Sequence, residues 1–367
     1  MKITNISIYE VDLKLKKPFQ LSGGRELDSL TSAVVSITAD NGITGWGESC
    51  PWGSDYLPAF PDAVIAGLKV MAPKLLGEDS SNLAHIHAIM ASTLAEQPSI
   101  TTAYDIACHD LAARSMDVPV STLLGGRLVD RLPLPGGLSP VMDESTSSQI
   151  AAWRAKGVRE MSTKATGEAE YDIEMVKFML KQMQPDERIK VDANLGWRLD
   201  DAIHVAQAVA DPRVRYEQPC ATNTECRAFS ERTGYTVILD ESAKNIETVT
   251  QAYHEGYLGG VNLKIGKVGG LAPSRTIRDF CIRQSVPIYI QDAGGSSFAG
   301  AAIMHLAHAV PARLLNGIWD CADVLTSRVG IGGFLEFDGA LSATMDPGLG
   351  VAPDMSVLGE PIAEYQS

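Results

Sequence analysis

Apolar and polar residues alternate from Ile3 to Lys14, from Thr31 to Ala39 and from Ile43 to Glu48, the period of half-buried strands. The last two runs flank Asp40-Asn41-Gly42, so the turn predicts an antiparallel hairpin. From Asp62 to about Gly126 the spacing of Ala, Leu and Met widens to three and four residues, which predicts helices. Strands followed by a run of helices describe an α+β unit over residues 1–126.

Past Gly126 the pattern changes. Short β-branched or apolar runs alternate with helical stretches, as in βαβ units. The predicted strand ends fall near Gly137, Lys164, Asp192, Glu217, Asp240, Lys264, Asp292 and Asn316, separated by 23 to 28 residues. Eight strand ends in that rhythm predict an α/β chain with a (β/α)₈ barrel over residues 127–344. The alternative is an open doubly wound sheet, which the lack of a GxGxxG after any strand weakens.

Composition narrows the partners. With 31 Lys and Arg against 45 Asp and Glu, the formal charge of −14 argues against nucleic acid or an anionic membrane surface. No apolar run is long enough to span a bilayer, and the N-terminal segment lacks the apolar core of a signal peptide. Cys50, Cys108, Cys220, Cys226, Cys281 and Cys321 are scattered without zinc spacing, so a reduced, cytoplasmic setting is expected.

Active-site groups of a parallel barrel gather at the C-terminal ends of its strands. One acid there can be a helix N-cap. Asp192, Glu217 and Asp240 come from three consecutive strands at one depth, where they would repel each other unless a cation lay between them. All-oxygen ligands select a hard divalent ion, Mg²⁺ foremost, one per chain. Removing one acid would then stabilise the cation-free protein. Lys164 and Lys264 end the second and sixth strands, so they would face each other across the mouth with the acids on the arc between. Either lysine could instead simply pair with an acid.

The motifs GWGE (Gly45–Glu48), AYDIACHDLAARSMDVPVSTLLGG (Ala103–Gly126), KVDANLGW (Lys190–Trp197), YEQP (Tyr216–Pro219), LDES (Leu239–Ser242) and NLKIGKVGG (Asn262–Gly270) resemble the enolase superfamily, in its mandelate racemase and muconate lactonising branch. The resemblance spans nearly the whole chain. It implies a modified (β/α)₈ TIM-like barrel under an N-terminal capping domain, with residues 345–367 packing back on that domain. It also implies one Mg²⁺ on Asp192, Glu217 and Asp240, and abstraction of the proton next to a carboxylate by Lys164 and Lys264. Two departures stand out. The branch often carries Lys-x-Lys at the second strand, where Ser162 replaces the first lysine, so a cation that would lower the pKa of Lys164 is missing. No His ends the seventh strand, which argues against a Lys/His pair.

Substrate class must come from the loops. Trp52 and Tyr56 lie in the segment after the first hairpin, Trp319 lies past the eighth strand, and Asp292 ends the seventh. Aromatic walls beside an acid suit an ammonium group, although Trp52 and Trp319 could equally pack structurally. Asn194, two residues past Asp192, is a further candidate substrate contact. These loops resemble those of members handling proline derivatives. The resemblance implies a small-molecule carboxylate substrate, with dehydration of cis-3-hydroxy-L-proline to pyrroline-2-carboxylate preferred. Epimerisation of proline or hydroxyproline betaine is the alternative, followed by sugar-acid dehydration, dipeptide epimerisation or cycloisomerisation. A homo-oligomer is expected. A binding protein that has lost activity remains the alternative from a different class.

Overall fold

The computed structural model describes residues 1–21, 25–52 and 58–367, without the side chains of residues 19–21 and 25. The N-terminal unit is an antiparallel sheet of β1 (Ile3–Leu21), β2 (Arg25–Ala39) and β3 (Thr44–Ser49). Helices α1 (Pro61–Leu75), α2 (Leu83–Thr93), α3 (Pro98–Ser115) and the single turn α4 (Val120–Leu123) follow. The hairpin closes through Gly42, whose N–H donates to Ala39 O at 2.9 Å with φ at +79°.

The first two strands run longer than the alternation predicts. Lys16-Lys17-Pro18 breaks the pattern, and there the β1–β2 register shifts before pairing resumes from Phe19↔Leu27 to Leu21↔Arg25. The ladder therefore continues past the point where the side chains cease to signal it.

After β4 (Leu132–Pro133) come eight parallel strands: β5 (Gly136–Leu138), β6 (Glu160–Lys164), β7 (Arg188–Asp192) and β8 (Val214–Glu217), then β9 (Val237–Leu239), β10 (Leu258–Lys264), β11 (Ile288–Gln291) and β12 (Leu315–Ile318). They lie in the order β12-β11-β10-β9-β8-β7-β6-β5, a curled sheet whose two end strands are not paired with each other. Helices α5 (Glu144–Ala155), α6 (Ala169–Gln182), α7 (Leu199–Val209) and α8 (Asn223–Thr233) connect the first five strands. The later ones are α9 (Ile246–His254), the single turn α10 (Ile265–Val268), α11 (Leu271–Gln284) and α12 (Ser297–Ala307). This is the modified (β/α)₈ architecture, and the open doubly wound sheet is excluded by the curled, sequential strand order.

The chain ends in β13 (Gly330–Gly332), β14 (Phe334–Phe337), β15 (Ala340–Ala343), β16 (Val351–Pro353), α13 (Met355–Leu358) and β17 (Ala363–Gln366). β17 returns to the N-terminal sheet and pairs antiparallel with β1, Asn5 opposite Gln366. No helix among the described residues is long and apolar enough to cross a membrane.

Buried acids fasten the N-terminal unit to the barrel. Glu48, on β3, accepts from the backbone N–H of Ser296 at 2.7 Å and of Ala299 at 3.1 Å, at the start of α12. Asp105, on α3, accepts from the N–H groups of Leu271 and Ala272 at the start of α11. Asp110 bridges Trp46 N at 2.9 Å and Leu349 N at 2.6 Å. Carboxylates suit helix N-termini, where unpaired N–H groups and the helix dipole converge.

Within the N-terminal unit β3 lies directly on α3. A Cβ added at Gly47 would stand 2.0 Å from Ala103 O and 2.6 Å from Ala107 N, both backbone atoms that cannot swing aside. Gly47→Ala is therefore expected to lower the unfolding free energy by about 3 kcal/mol, the upper end for overpacking. Urea denaturation showing a loss below 1 kcal/mol would contradict this contact.

Candidate active site and metal centre

In the barrel, Lys164 on β6 pairs with Asp192 on β7, and Asp192 with Glu217 on β8. Residues paired across parallel strands point to the same face, so these side chains emerge together at the C-terminal rim. Asp240 follows β9 by one residue and joins them. Carboxylate oxygens of Asp192, Glu217 and Asp240 all lie within 4.8 Å of one another, and all three residues are buried. Three hard oxygen donors at that spacing, without His or Cys in the group, could hold one hard divalent cation.

Ammonium groups surround the acids. Lys164 donates to Asp192 Oδ2 at 2.6 Å, and Lys264 to Asp240 Oδ2 at 2.7 Å. Lys267 lies 3.0 Å from Asp240 Oδ1 and also donates to the Asp240 carbonyl. Lys190, buried inside the barrel, pairs with Glu217 and lies 4.3 Å from the centroid of the Tyr289 ring. Lys164 and Lys264 thus hold the two flanks of the cluster, with β7, β8 and β9 between their strands. Both do pair with acids, and both also line the cavity above them.

The environment decides which acids stay charged. Burial alone would raise Asp240, but Lys264 and Lys267 outweigh it and hold the carboxyl well below the usual range. Burial and the Asp192 charge push Glu217 up to about 7, against the opposing pull of Lys190. The carboxylates therefore do not face one another unscreened. Truncating Asp240 would take the carboxylate from the buried Lys264 and Lys267, so a loss of cation-free stability, not the expected gain, follows there.

The cavity over this cluster has a volume of about 870 Å³, and Asp192, Asp240, Lys164, Lys264, Trp52 and Trp319 are among its walls. Trp52 comes from the N-terminal unit and Trp319 from just past β12; their ring centroids are 6.4 Å apart at 50°. Asp292, immediately after β11, is buried in the same wall. Its Oδ1 accepts from Ala293 N at 2.7 Å and Gly266 N at 3.1 Å, whereas Oδ2 has no hydrogen-bond partner among the described residues. A Cβ on Gly266 would stand 2.6 Å from Oδ1, so only glycine admits the carboxylate there. Burial pushes Asp292 up to about 7, with the two N–H groups opposing.

One candidate falls elsewhere, and another is not described. Asn194 is buried and does not line the cavity; its amide accepts from Lys164 at 2.9 Å and donates to Glu241 Oε1 at 3.0 Å. Tyr56 lies outside the described residues.

Other groups at the cluster escaped the sequence reading. Asn262 donates to Glu217 and, at 3.3 Å, to Asp240 Oδ2, and accepts from Gln291. Lys190 and Asn262 each lie two residues before a candidate on the same strand, so strand periodicity puts them on the candidate's face. Lys190 also sits in register with Ser162 on β6. A cation therefore stands beside the position where the Lys-x-Lys lysine is missing, supplied by the neighbouring strand.

Comparison with known proteins agrees with this arrangement. Residues 3–125 match the family described as mandelate racemase / muconate lactonizing enzyme, N-terminal domain, and residues 146–357 match enolase C-terminal domain-like. The chain is 34% identical to the cis-3-hydroxy-L-proline dehydratase of Roseibium aggregatum over 366 residues, covering 100% of both. It is 27% identical to the N-succinyl-L-Arg/Lys racemase of Bacillus cereus, covering 84% of each. A crystal structure of an enolase superfamily member from Roseovarius nubinhibens complexed with magnesium superposes with a TM-score of 0.94 at 33% identity, covering 100% of both chains. The chain belongs to the mandelate racemase/muconate lactonizing enzyme family of the enolase superfamily. It is an enzyme of the lyase or isomerase kind that this family comprises.

The Asp292 environment makes a prediction about stability. An unfolded aspartate titrates near 3.9, against about 7 here. Between those values the folded protein keeps a proton that the unfolded chain has released, so this group's contribution is greatest below about pH 4 and falls as pH rises toward 7. Asp292→Asn should lack that slope and be more stable than wild type at pH 8 by roughly 1 kcal/mol or more. Urea denaturation at pH 5 and pH 8 measures the difference, and equal slopes for the two proteins would rule it out.

Proposed function

We propose that the protein removes the proton next to the carboxylate of a small cyclic amino acid, and that it dehydrates cis-3-hydroxy-L-proline to pyrroline-2-carboxylate. The observation that carries this reading is the placement of Lys164 and Lys264 on the two flanks of one buried acid cluster, both facing one cavity. In this reading Asp192, Glu217 and Asp240 hold Mg²⁺. When bound, the ion would take up charge that develops on the substrate carboxylate as the proton leaves.

The chain's own residues would supply the rest. One lysine takes the α-proton, and its counterpart across the cluster gives a proton to the hydroxyl leaving the adjacent carbon as water. The resulting enamine tautomerises to pyrroline-2-carboxylate. In cis-3-hydroxy-L-proline the α-hydrogen and the hydroxyl lie on opposite faces of the ring, so lysines on opposite flanks fit that elimination. Trp52 and Trp319 would pack against the ammonium centre, and the unengaged Oδ2 of Asp292 would accept one of its N–H bonds. The cavity volume sets only an upper bound on size, so selection falls to these charge contacts. Full-length similarity to the Roseibium dehydratase supports the same substrate.

A second reading is epimerisation of proline or hydroxyproline betaine. The tilted tryptophan pair favours it, because a quaternary ammonium binds aromatic faces well and needs no hydrogen bond. Incubation of proline, cis-3-hydroxy-L-proline and their betaines in D₂O, followed by NMR, separates the two. Pyrroline-2-carboxylate formation supports the dehydratase; inversion with deuterium at the α-carbon and no loss of water supports the epimerase; neither overturns both.

Two sets of variants test the roles of the residues. Asp192→Ala, Glu217→Ala and Asp240→Ala are each expected to abolish measurable Mg²⁺ binding by calorimetry, and wild-type affinity in any of them would exclude that residue as a ligand. Lys164→Met and Lys264→Met should fail differently. Loss of the lysine facing the α-hydrogen stops solvent exchange at that carbon, whereas loss of the other leaves exchange but no product. Full turnover in both variants would rule out the lysine pair.

A further inference from the structure

Glu217 is followed by Gln218, to which the reaction above gives no task. Gln218 is fully buried. Its φ of +37° lies in the left-handed region that a residue other than glycine adopts at a cost. The backbone N–H donates to Ile238 O at 2.9 Å, and the carbonyl accepts from Leu195 N at 3.1 Å. The side-chain Oε1 accepts from Asp240 N at 3.1 Å, Ser242 N at 3.2 Å and Ser242 Oγ at 2.9 Å. On its other side, Nε2 donates to Cys220 O at 3.2 Å and lies 3.7 Å from Cys226 Sγ.

One side chain therefore joins the loop that begins at Asp240 to the loop that leaves Glu217, while the backbone of the same residue holds the loop that follows Asp192. These are the three segments that carry the acids. A hydrogen bond to the N–H of Asp240 fixes the backbone from which that carboxylate projects, and three donors on one buried amide oxygen leave the loop little freedom.

We propose that Gln218 is a positioning residue that sets the spacing of Asp192, Glu217 and Asp240. This rests on the reading that the three acids hold a divalent cation. Mg²⁺ demands near-octahedral geometry at about 2.0–2.1 Å, whereas Ca²⁺ accepts irregular ligands at about 2.3–2.6 Å. Loosening the acids should therefore weaken Mg²⁺ more than Ca²⁺.

Two substitutions isolate the tie. Gln218→Asn suits the positive φ better than glutamine does, yet it is one methylene shorter and cannot reach Asp240 and Ser242 while bonding Cys220. Gln218→Met keeps the length and offers no amide oxygen. Full-length protein is titrated with Mg²⁺ and with Ca²⁺ by calorimetry, and thermal unfolding is recorded without divalent ions. The expected result is folded variants whose Mg²⁺ affinity falls by about 10–100-fold, the range for losing a residue that orients metal ligands. Ca²⁺ affinity should fall less, so the preference for Mg²⁺ shrinks. A residue serving the fold alone would lower the unfolding midpoint and leave both affinities, and their ratio, at wild-type values; that result overturns the proposal. If Gln218→Met does not fold, Gln218→Asn decides between the same two outcomes. Absence of Mg²⁺ binding in the wild-type protein removes instead the reading on which the proposal rests.

Discussion

The in-register parallel pairing of β6, β7 and β8 is the constraint on which the site depends. It puts Lys164, Asp192 and Glu217 side by side on one face of the sheet, and a slip of one residue would turn each side chain to the opposite face. Once that register is fixed, three carboxylates meet where water is largely excluded, and burying unpaired charge there is costly. The surrounding lysines offset that cost. Lys164, Lys190, Lys264 and Lys267 each contact one of the acids, and Asn262 fills the space between Glu217 and Asp240. The cluster is therefore a network in which acids and bases hold each other in place, with Glu217, away from the cavity wall, pushed by burial toward protonation.

The N-terminal unit contributes more than cover. Glu48 and Asp105 occupy the starts of α12 and α11, the helices that flank β11. Asp292, at the end of that strand, is thus framed by two helices whose N-terminal N–H groups are already taken by acids from the other unit. Trp52, three residues past β3, reaches the cavity wall from the same unit. Any rotation of one unit against the other would move Trp52 relative to Trp319 and break buried hydrogen bonds, so the wall is anchored to the barrel at several points.

Much of this was legible in the chain because the barrel repeats a simple rule. Acids and lysines that follow a β-branched run and precede a helical one sit at a strand end, and Lys164, Asp192, Glu217 and Lys264 are each the last residue of their strand. Asp240 and Asp292 fall one residue beyond theirs. What stayed hidden was partnership. Lys190 reads as an ordinary charged residue before a strand end, and only three-dimensional placement shows its ammonium on Glu217 and its neighbourhood with Ser162. Asn194 looked like a cavity residue, but its loop turns back through left-handed conformations at Asn194 and Leu195, φ +43° and +67°, and points its amide at Lys164 and Glu241. The length of β1 was hidden for the opposite reason: backbone pairing resumes at Phe19 beyond Lys16-Lys17-Pro18, where side-chain alternation has ended.

The return of β17 to β1 has a consequence for how the chain is made. β1 leaves the ribosome more than 300 residues before residues 363–366, the segment with which its outer edge pairs. Until those residues emerge, β1 presents a row of unpaired N–H and C=O groups, the kind of edge along which chains join one another. In the barrel, by contrast, each strand from β6 to β12 pairs with the strand synthesised immediately before it. Barrel assembly can thus keep pace with synthesis, while the N-terminal sheet waits for its fourth strand. That long interval makes the sheet edge, and not the barrel, the place where a nascent chain is most exposed to wrong partners.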